Sequence, residues 1–243
     1  MRKYSWFFML ILLTITGTAQ KKKDIPGFGI YGKATNNSVL CVQFDKGKSH
    51  NYPIMVFWLA DEHGKYLQTL YVAESIGKGV FKRADRSTGK WMAGEIQRPA
   101  ALPYWFHQRG ILNEKGTYAP TPTKPVADAY TGATPTGSFI MHLITDQKLT
   151  GMYKVFMEIN QSWDWNEFWH NNKFPDDREY KTSSQPALVY EAIIDASNPV
   201  NRVTFKAIGH SHHSGKDGSL NTDLSTITTA LRIVGNCTVT ILP

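Results

Sequence analysis

Pro53-Ile-Met-Val-Phe-Trp-Leu-Ala-Asp-Glu-His-Gly-Lys-Tyr-Leu-Gln-Thr-Leu-Tyr-Val72 is the stretch whose reading decides the fold. Two short runs rich in β-branched and aromatic residues, Pro53–Ala60 and Tyr66–Val72, flank Asp61-Glu62-His63-Gly64. A polar, Gly-ended tetrad between two strand-like runs has the composition of a hairpin loop. The same signal recurs outward in both directions. Ser38–Asp45 alternates Leu40, Val42 and Phe44 on one side, and Gly137–Thr145 sets Phe139, Met141 and Leu143 against Ile140, His142 and Ile144. Met152–Asn160 places Tyr153, Val155, Met157 and Ile159 on one face. Ala187–Asp195, Arg202–Ile208 and Cys237–Leu242 continue the series, with Gly, Pro, Asn and Asp between the runs.

No segment sustains a long 3.6-residue apolar period. The best helical candidate is Asp223–Val234, with Leu224, Ile227 and Leu231 suitably spaced and Thr222 or Asp223 as a cap, although its Thr and Ile content suits a strand equally. Many strands and few helices predict an all-β chain: an immunoglobulin-like, antiparallel β-sandwich occupying residues 38–243 as one domain. At most one or two short helices are expected. Residues 77–127 read as a long irregular insertion carrying Trp91, Trp105 and the Pro-rich run Tyr118–Pro125, either functional or a surface excursion.

The first nineteen residues read as a secretory signal peptide: basic Arg2 and Lys3, the apolar run Trp6–Ile15, then small Gly17 and Ala19 before the cleavage point. Cleavage leaves Gln20 first and residues 20–37 as a flexible lead-in. The expected location is periplasmic or secreted, and no later run approaches the roughly 20 apolar residues of a membrane span. Removing Arg2 and Lys3 lowers the formal charge from +7 to +5, with Lys21, Lys22 and Lys23 clustered at the new terminus. There is no basic stripe with interleaved aromatics, so nucleic acid is not an expected partner. Cys41 and Cys237 sit in the first and last strand-like runs. In an oxidising compartment they either pair or stay as two buried thiols.

Three constellations could carry chemistry. The first is Asp128-Ala-Tyr-Thr-Gly-Ala-Thr134, running into Pro135-Thr-Gly-Ser138. A hydroxyl flanked by Gly132 and Ala133 allows close approach by a modifying enzyme. Asp128 is of the type that pins a turn by side-chain-to-backbone hydrogen bonds. The bland alternative is a small-residue turn launching the next strand. The second is Gly209-His-Ser-His-His-Ser-Gly-Lys-Asp-Gly218, where His210, His212 and Asp217 are candidate metal ligands, against a polar loop with no metal. The third is Asn160-Gln-Ser-Trp-Asp-Trp-Asn-Glu-Phe-Trp-His170. There Trp163, Trp165 and Trp169 could form a stacking platform for a ring-shaped ligand, or simply cover the end of the core. A Gly-x-Ser-x-Gly elbow and a Gly-x-x-x-x-Gly-Lys-Ser/Thr phosphate loop are both absent from the sequence, so a non-enzymatic role is expected.

The segment Asp128–Thr134 resembles the acceptor sequence of periplasmic flavinylated proteins, Asp-x-x-Ser/Thr-Gly-Ala-Thr/Ser. The resemblance implies recognition through Asp128, Thr131, Gly132 and Ala133, and attachment of FMN by a flavin transferase to Thr134 through the phosphate. Over most of the chain the sequence is similar to a predicted periplasmic family, domain of unknown function 2271. The matching pieces are Val56-Phe-Trp58 with Gly64–Leu70, then Asp128–Thr134, Gly151–Val155 with Glu158–Asn160, and Gly209–Gly218 with Asp223–Ser225. Trp58–Leu70 also looks like the immunoglobulin-like module of flagellar hook-capping proteins. The family resemblance implies an accessory of an extracytosolic redox or metal-assimilation system, acting beside a flavin transferase and a membrane electron-transfer protein. The alternative is a cofactor-free binding or interaction module using Trp163–Trp169 and the His210–His213 loop for a ligand, metal or partner protein.

Overall fold

The computed structural model describes residues 27–34, 36–199 and 201–243. The expected signal peptide and the Lys21–Lys23 cluster lie outside the described residues. Four strands come first: Gly27–Tyr31 (β1), Val39–Lys46 (β2), Ile54–Asp61 (β3) and Tyr66–Ala73 (β4). A one-turn helix Glu74–Lys78 (α1), a hairpin Val80–Asp85 (β5) with Met92–Glu95 (β6), and a helix Pro103–Arg109 (α2) follow. The chain then runs through Thr131–Gly132 (β7), Phe139–Ile144 (β8), Met152–Asn160 (β9) and Leu188–Asp195 (β10). It ends with Val203–Thr204 (β11), Lys206–Ser211 (β12), Leu220–Asn221 (β13) and Val234–Leu242 (β14).

The hairpin within Pro53–Val72 forms as its composition predicts. The Asp61 carboxylate accepts the N–H groups of His63 and Lys65, closing the loop, and Gly64 takes a φ of +88° that other residues rarely adopt. β3 and β4 pair antiparallel and lie inside a seven-stranded sheet ordered β13-β12-β10-β9-β3-β4-β7. A five-stranded sheet, β1-β8-β2-β14-β11, packs against it, which makes the mainly β sandwich expected. In these two sheets all pairings are antiparallel except β1 with β8 and β4 with β7.

Alternation sorts the side chains between two cores. Leu40, Val42 and Phe44 from β2 meet Met55, Phe57 and Leu59 from β3 and Val155, Met157 and Ile159 from β9 between the sheets. The intervening residues of β3, namely Val56, Trp58 and Ala60, are also buried, on the other face of the seven-stranded sheet. There they pack with Leu102, Trp105 and Phe106 of the 77–127 segment, and Trp58 stacks on Phe156 at 5.1 Å. A strand buried on both faces reads as an unbroken apolar run, which is what Ile54–Ala60 is. The expected irregular excursion is therefore a third layer. It carries the β5–β6 hairpin and α2, and its apolar side chains close a second core.

Two other expectations change. Gly27–Tyr31, expected in a flexible lead-in, is a strand: it pairs in parallel with β8, and the Tyr31 ring meets Tyr71 edge-on at 4.7 Å. The candidate helix Asp223–Val234 contracts to a single 3-10 turn, Thr229–Arg232, before β14 begins. Both cysteines are free thiols. Cys237 belongs to the inter-sheet core, whereas Cys41 falls between the inward residues Leu40 and Val42, so the two point to opposite faces of one sheet. They are also out of register, with Cys41 opposite Thr240 and Cys237 opposite Phe44. Among the described residues no helix is long and apolar enough to cross a membrane.

Candidate functional site

The Asp128–Thr134 segment leaves the third layer and enters the sandwich at its edge. Asp128–Tyr130 makes one 3-10 turn, and Thr131–Gly132 pairs in parallel with Val72–Ala73. The segment is held from several sides. The Tyr130 hydroxyl donates to the Asp146 carboxylate, and the Gly32 N–H donates to the Ala129 carbonyl at 2.6 Å. The Tyr71 hydroxyl, rooted in the inter-sheet core, donates to the Ala133 carbonyl at 2.9 Å. Gly132 lies so close to the Tyr31 ring that a Cβ added there would come within 2.4 Å of it. This is a close approach only glycine permits.

The anchoring differs in one respect from the expected role of Asp128. Its carboxylate is solvent-facing and pairs with Lys78 Nζ at 3.1 Å. The turn is instead closed from Thr131, whose hydroxyl donates to the Asp128 carbonyl at 3.3 Å. Lys78, anchored four residues from Glu74 at 2.9 Å, offers Asp128 a better-placed cation than the local backbone offers donors.

Ala133 is exposed and Thr134 half-buried. Among the described residues the Thr134 hydroxyl has no hydrogen-bond partner. It opens onto a cleft of about 460 Å³ whose walls include Phe28, Tyr31, Lys46 and Ser138. That volume falls within the roughly 300–1,000 Å³ of small-molecule sites. The Phe28 ring is exposed on one side and meets His142 edge-on at 5.0 Å on the other.

The histidine loop does not gather its candidate ligands. His210, at the end of β12, is buried beside Trp169, and its Nδ1 lies 2.9 Å from the Ser211 carbonyl. His212 uses its Nδ1 to accept the Ser214 N–H at 3.2 Å. Asp217 is exposed and accepts the Ser219 N–H at 2.9 Å. Among the described residues no group of three His, Cys, Asp or Glu side chains is arranged to hold a metal. His213, left out of that set, forms the middle of a stack, 4.0 Å from Phe174 and 4.2 Å from His212. Burial, and then the neighbouring His212, push its pKa down to about 4.

The three tryptophans separate as well. Trp169 is core, its Nε1–H donating to the Thr226 hydroxyl at 3.1 Å. Trp165 packs edge-on against buried Tyr180 at 5.6 Å. Only Trp163 faces solvent, 75% exposed. The polar residues between them are structural: Asn166 donates to Gln185, to Thr228 and to the Thr226 carbonyl, and accepts the Trp169 N–H at 2.6 Å. A continuous platform therefore does not form, because the chain turns sharply at Trp163, where φ is +67°.

The sequence reading overlooked a buried polar row on the second core. Phe156, Glu158 and Asn160 share the β9 face opposite Val155, Met157 and Ile159. Glu158 is fully buried and accepts the Tyr104 N–H at 3.1 Å and the Trp105 N–H at 2.8 Å, at the start of α2. The signal was present as a carboxylate and an amide alternating with a phenylalanine in a strand whose other face is wholly apolar. Compared with known proteins, the chain matches no family model, no curated protein and no solved structure.

Proposed function

We propose that this chain is an exported accessory of an extracytosolic redox or metal-assimilation system, and that it carries FMN covalently on Thr134. The observation that carries the reading is an unpartnered hydroxyl on a well-anchored turn, opening onto a cleft of about 460 Å³. The resemblance of Asp128–Thr134 to a flavin acceptor sequence supplies the identity of the group. The residues fit it in chemistry: a primary requirement is a hydroxyl that a transferase can join to phosphate, with Gly132 and exposed Ala133 leaving the approach open. Tyr71 and Tyr130 fix the turn from within the fold, so the acceptor is presented rather than mobile. Phe28 offers an aromatic face and Lys46 a cationic side chain in the same cleft wall. When bound, FMN supplies one- and two-electron chemistry. The protein's part is to hold it, and the partners expected are a flavin transferase and a membrane electron-transfer protein.

Intact-mass measurement on protein co-expressed with a flavin transferase in an exporting host tests this. The expected species has lost residues 1–19 and gained one FMN less one water, and Thr134→Ala lacks that gain. A mature mass without FMN, or an adduct that survives Thr134→Ala, overturns the reading. The competing reading, a cofactor-free module, draws less support from the Trp163–Trp169 and His210–His213 segments, since neither gathers its side chains into one site.

A further inference from the structure

The β5–β6 hairpin extends from the third layer, and neither core accounts for the composition of its outer half. Its base is fixed. The half-buried Phe81 ring packs on the second core, the Ile96 N–H donates to the Gly79 carbonyl at 3.0 Å, and Glu95 pairs with Lys115 at 2.6 Å. Beyond that base, residues 82–83 and 86–93 are exposed. The tip is shaped by its own contacts: the Asp85 carboxylate accepts the Ser87 N–H at 2.8 Å, and the Gly89 N–H donates to the Arg86 carbonyl at 3.0 Å. Gly89 takes a φ of +77°, which completes the turn.

The side chains held on this turn are of two kinds. Lys82, Arg83, Arg86 and Lys90 put four cations into residues 82–92, against the single carboxylate of Asp85. Among the described residues none of the four forms an ion pair. Beside them Trp91 and Met92 are 57% and 38% exposed. The Arg86 guanidinium lies 4.5 Å from the centre of the Trp91 ring, and the Thr88 hydroxyl donates to the Met92 sulfur at 3.5 Å. Two neighbouring apolar side chains in water forgo the gain of burial, and clustered cations repel one another within a Debye length. One kind of surface relieves both: apolar at depth and anionic at its boundary.

We infer that the hairpin tip docks on an anionic membrane surface, with Trp91 and Met92 entering the headgroup boundary and the four cations facing the lipid phosphates. An exposed turn offers a small free anion no enclosure, and such an anion would leave both apolar side chains in water. Residues 82–92 alone fall well short of the roughly 20–30 residues a side that a standard protein interface uses, which disfavours an acidic protein as the occupant. A membrane needs no such area, because each Lys or Arg is attracted separately to its surface potential. Tryptophan is also the side chain that settles at headgroup depth. The inference concerns the hairpin alone and is independent of Thr134 and of whatever that residue carries.

Co-sedimentation of the purified protein, beginning at Gln20, with vesicles of phosphatidylcholine alone or with about one-third phosphatidylglycerol tests the inference. Wild type should bind the anionic vesicles about tenfold or more tightly than the neutral ones, and about 1 M salt should abolish that preference. Arg83→Gln combined with Lys90→Gln should weaken binding about thirtyfold, about fivefold for each cation. Anionic vesicles with brominated acyl chains should quench the tryptophan fluorescence of wild type more than that of Trp91→Phe, which keeps an apolar ring at the tip. Every variant retains Lys21–Lys23, so a loss belongs to the hairpin, and the unfolding midpoints should match because the substituted side chains are exposed. If the double variant does not fold, the wild-type salt response and the Trp91→Phe comparison read the same contact. No binding to anionic vesicles, equal binding to neutral ones, an unchanged affinity in the folded double variant, or equal quenching in Trp91→Phe overturns it. Release by inorganic phosphate beyond that by chloride at equal ionic strength also overturns it, in favour of a free-anion site.

Discussion

Glu158 ties the third layer to the sandwich, and its replacement should change how stability depends on pH. The carboxyl is fully buried on the central strand β9, with the Tyr104 and Trp105 N–H groups at 3.1 and 2.8 Å. Burial pushes its pKa up to about 8, against the opposing pull of those two donors and of the Ser211 hydroxyl. In the unfolded chain the same group loses its proton at an ordinary value near 4.5. Between these values the folded state binds one more proton than the unfolded state, so stability falls as pH rises. The contribution is full below 4.5 and lost as pH climbs through about 8. The slope approaches about 1.4 kcal/mol per pH unit within the window, and across the whole window the change is of order 5 kcal/mol. That is a large share of the roughly 5–15 kcal/mol by which domains are stable. Denaturant unfolding followed by tryptophan fluorescence at pH 5, 6, 7 and 8 provides the assay. Below about pH 6.5 the opposite titration of His213 offsets this fall, so wild type should lose stability chiefly between pH 7 and 8, and the Glu158 effect across the whole series is read from the difference between wild type and variant. Glu158→Gln, which cannot ionise, should start lower at pH 5, because its NH₂ meets one of the two N–H donors, and should lose much less by pH 8. Parallel pH profiles for the two proteins would refute the reasoning, since the carboxyl would then titrate alike in both states.

Two further predictions test other parts of the fold. His213, neutral in its stack until about pH 4, resists a proton that the unfolded chain takes up near 6.5, so its contribution to stability is full above 6.5 and disappears as pH falls through 4. An imidazole NMR titration should show His213 with a midpoint near 4, and His213→Phe should flatten the acid limb of the stability profile; a midpoint near 6.5 sinks the assignment. Gly132→Ala would force a Cβ into the Tyr31 ring and should cost about 1–3 kcal/mol in thermal or denaturant unfolding. In a Tyr31→Ala background that added cost should vanish; an equal cost in both backgrounds would mean that the ring contact is not the cause.

The strands were legible because their signal is local. A side chain in a strand alternates between two faces whatever the rest of the chain does, so Met152–Asn160 and the Pro53–Val72 hairpin announced themselves through residue type and period alone. The sandwich follows from having many such runs, each with an apolar face to bury. The turn at Asp128–Thr134 was legible in the same local way, as small residues before a strand. What no local pattern carries is which surface covers which. The double burial of Val56, Trp58 and Ala60 was written in the sequence as an unbroken apolar run, but that residues 77–127 provide the covering layer depends on contacts between distant segments. The same holds for pairs of side chains. Cys41 and Cys237 are separated by strand register, and Trp163, Trp165 and Trp169 by a backbone turn at positive φ. Glu158 and Asn160 find their partners only once α2 and Ala100–Ala101 dock above them. Sequence by itself thus determined the elements and their apolar faces, through periodicity and steric preference. Only the tertiary structure decided which polar groups were buried, because burial is a property of the packed chain and not of any segment within it.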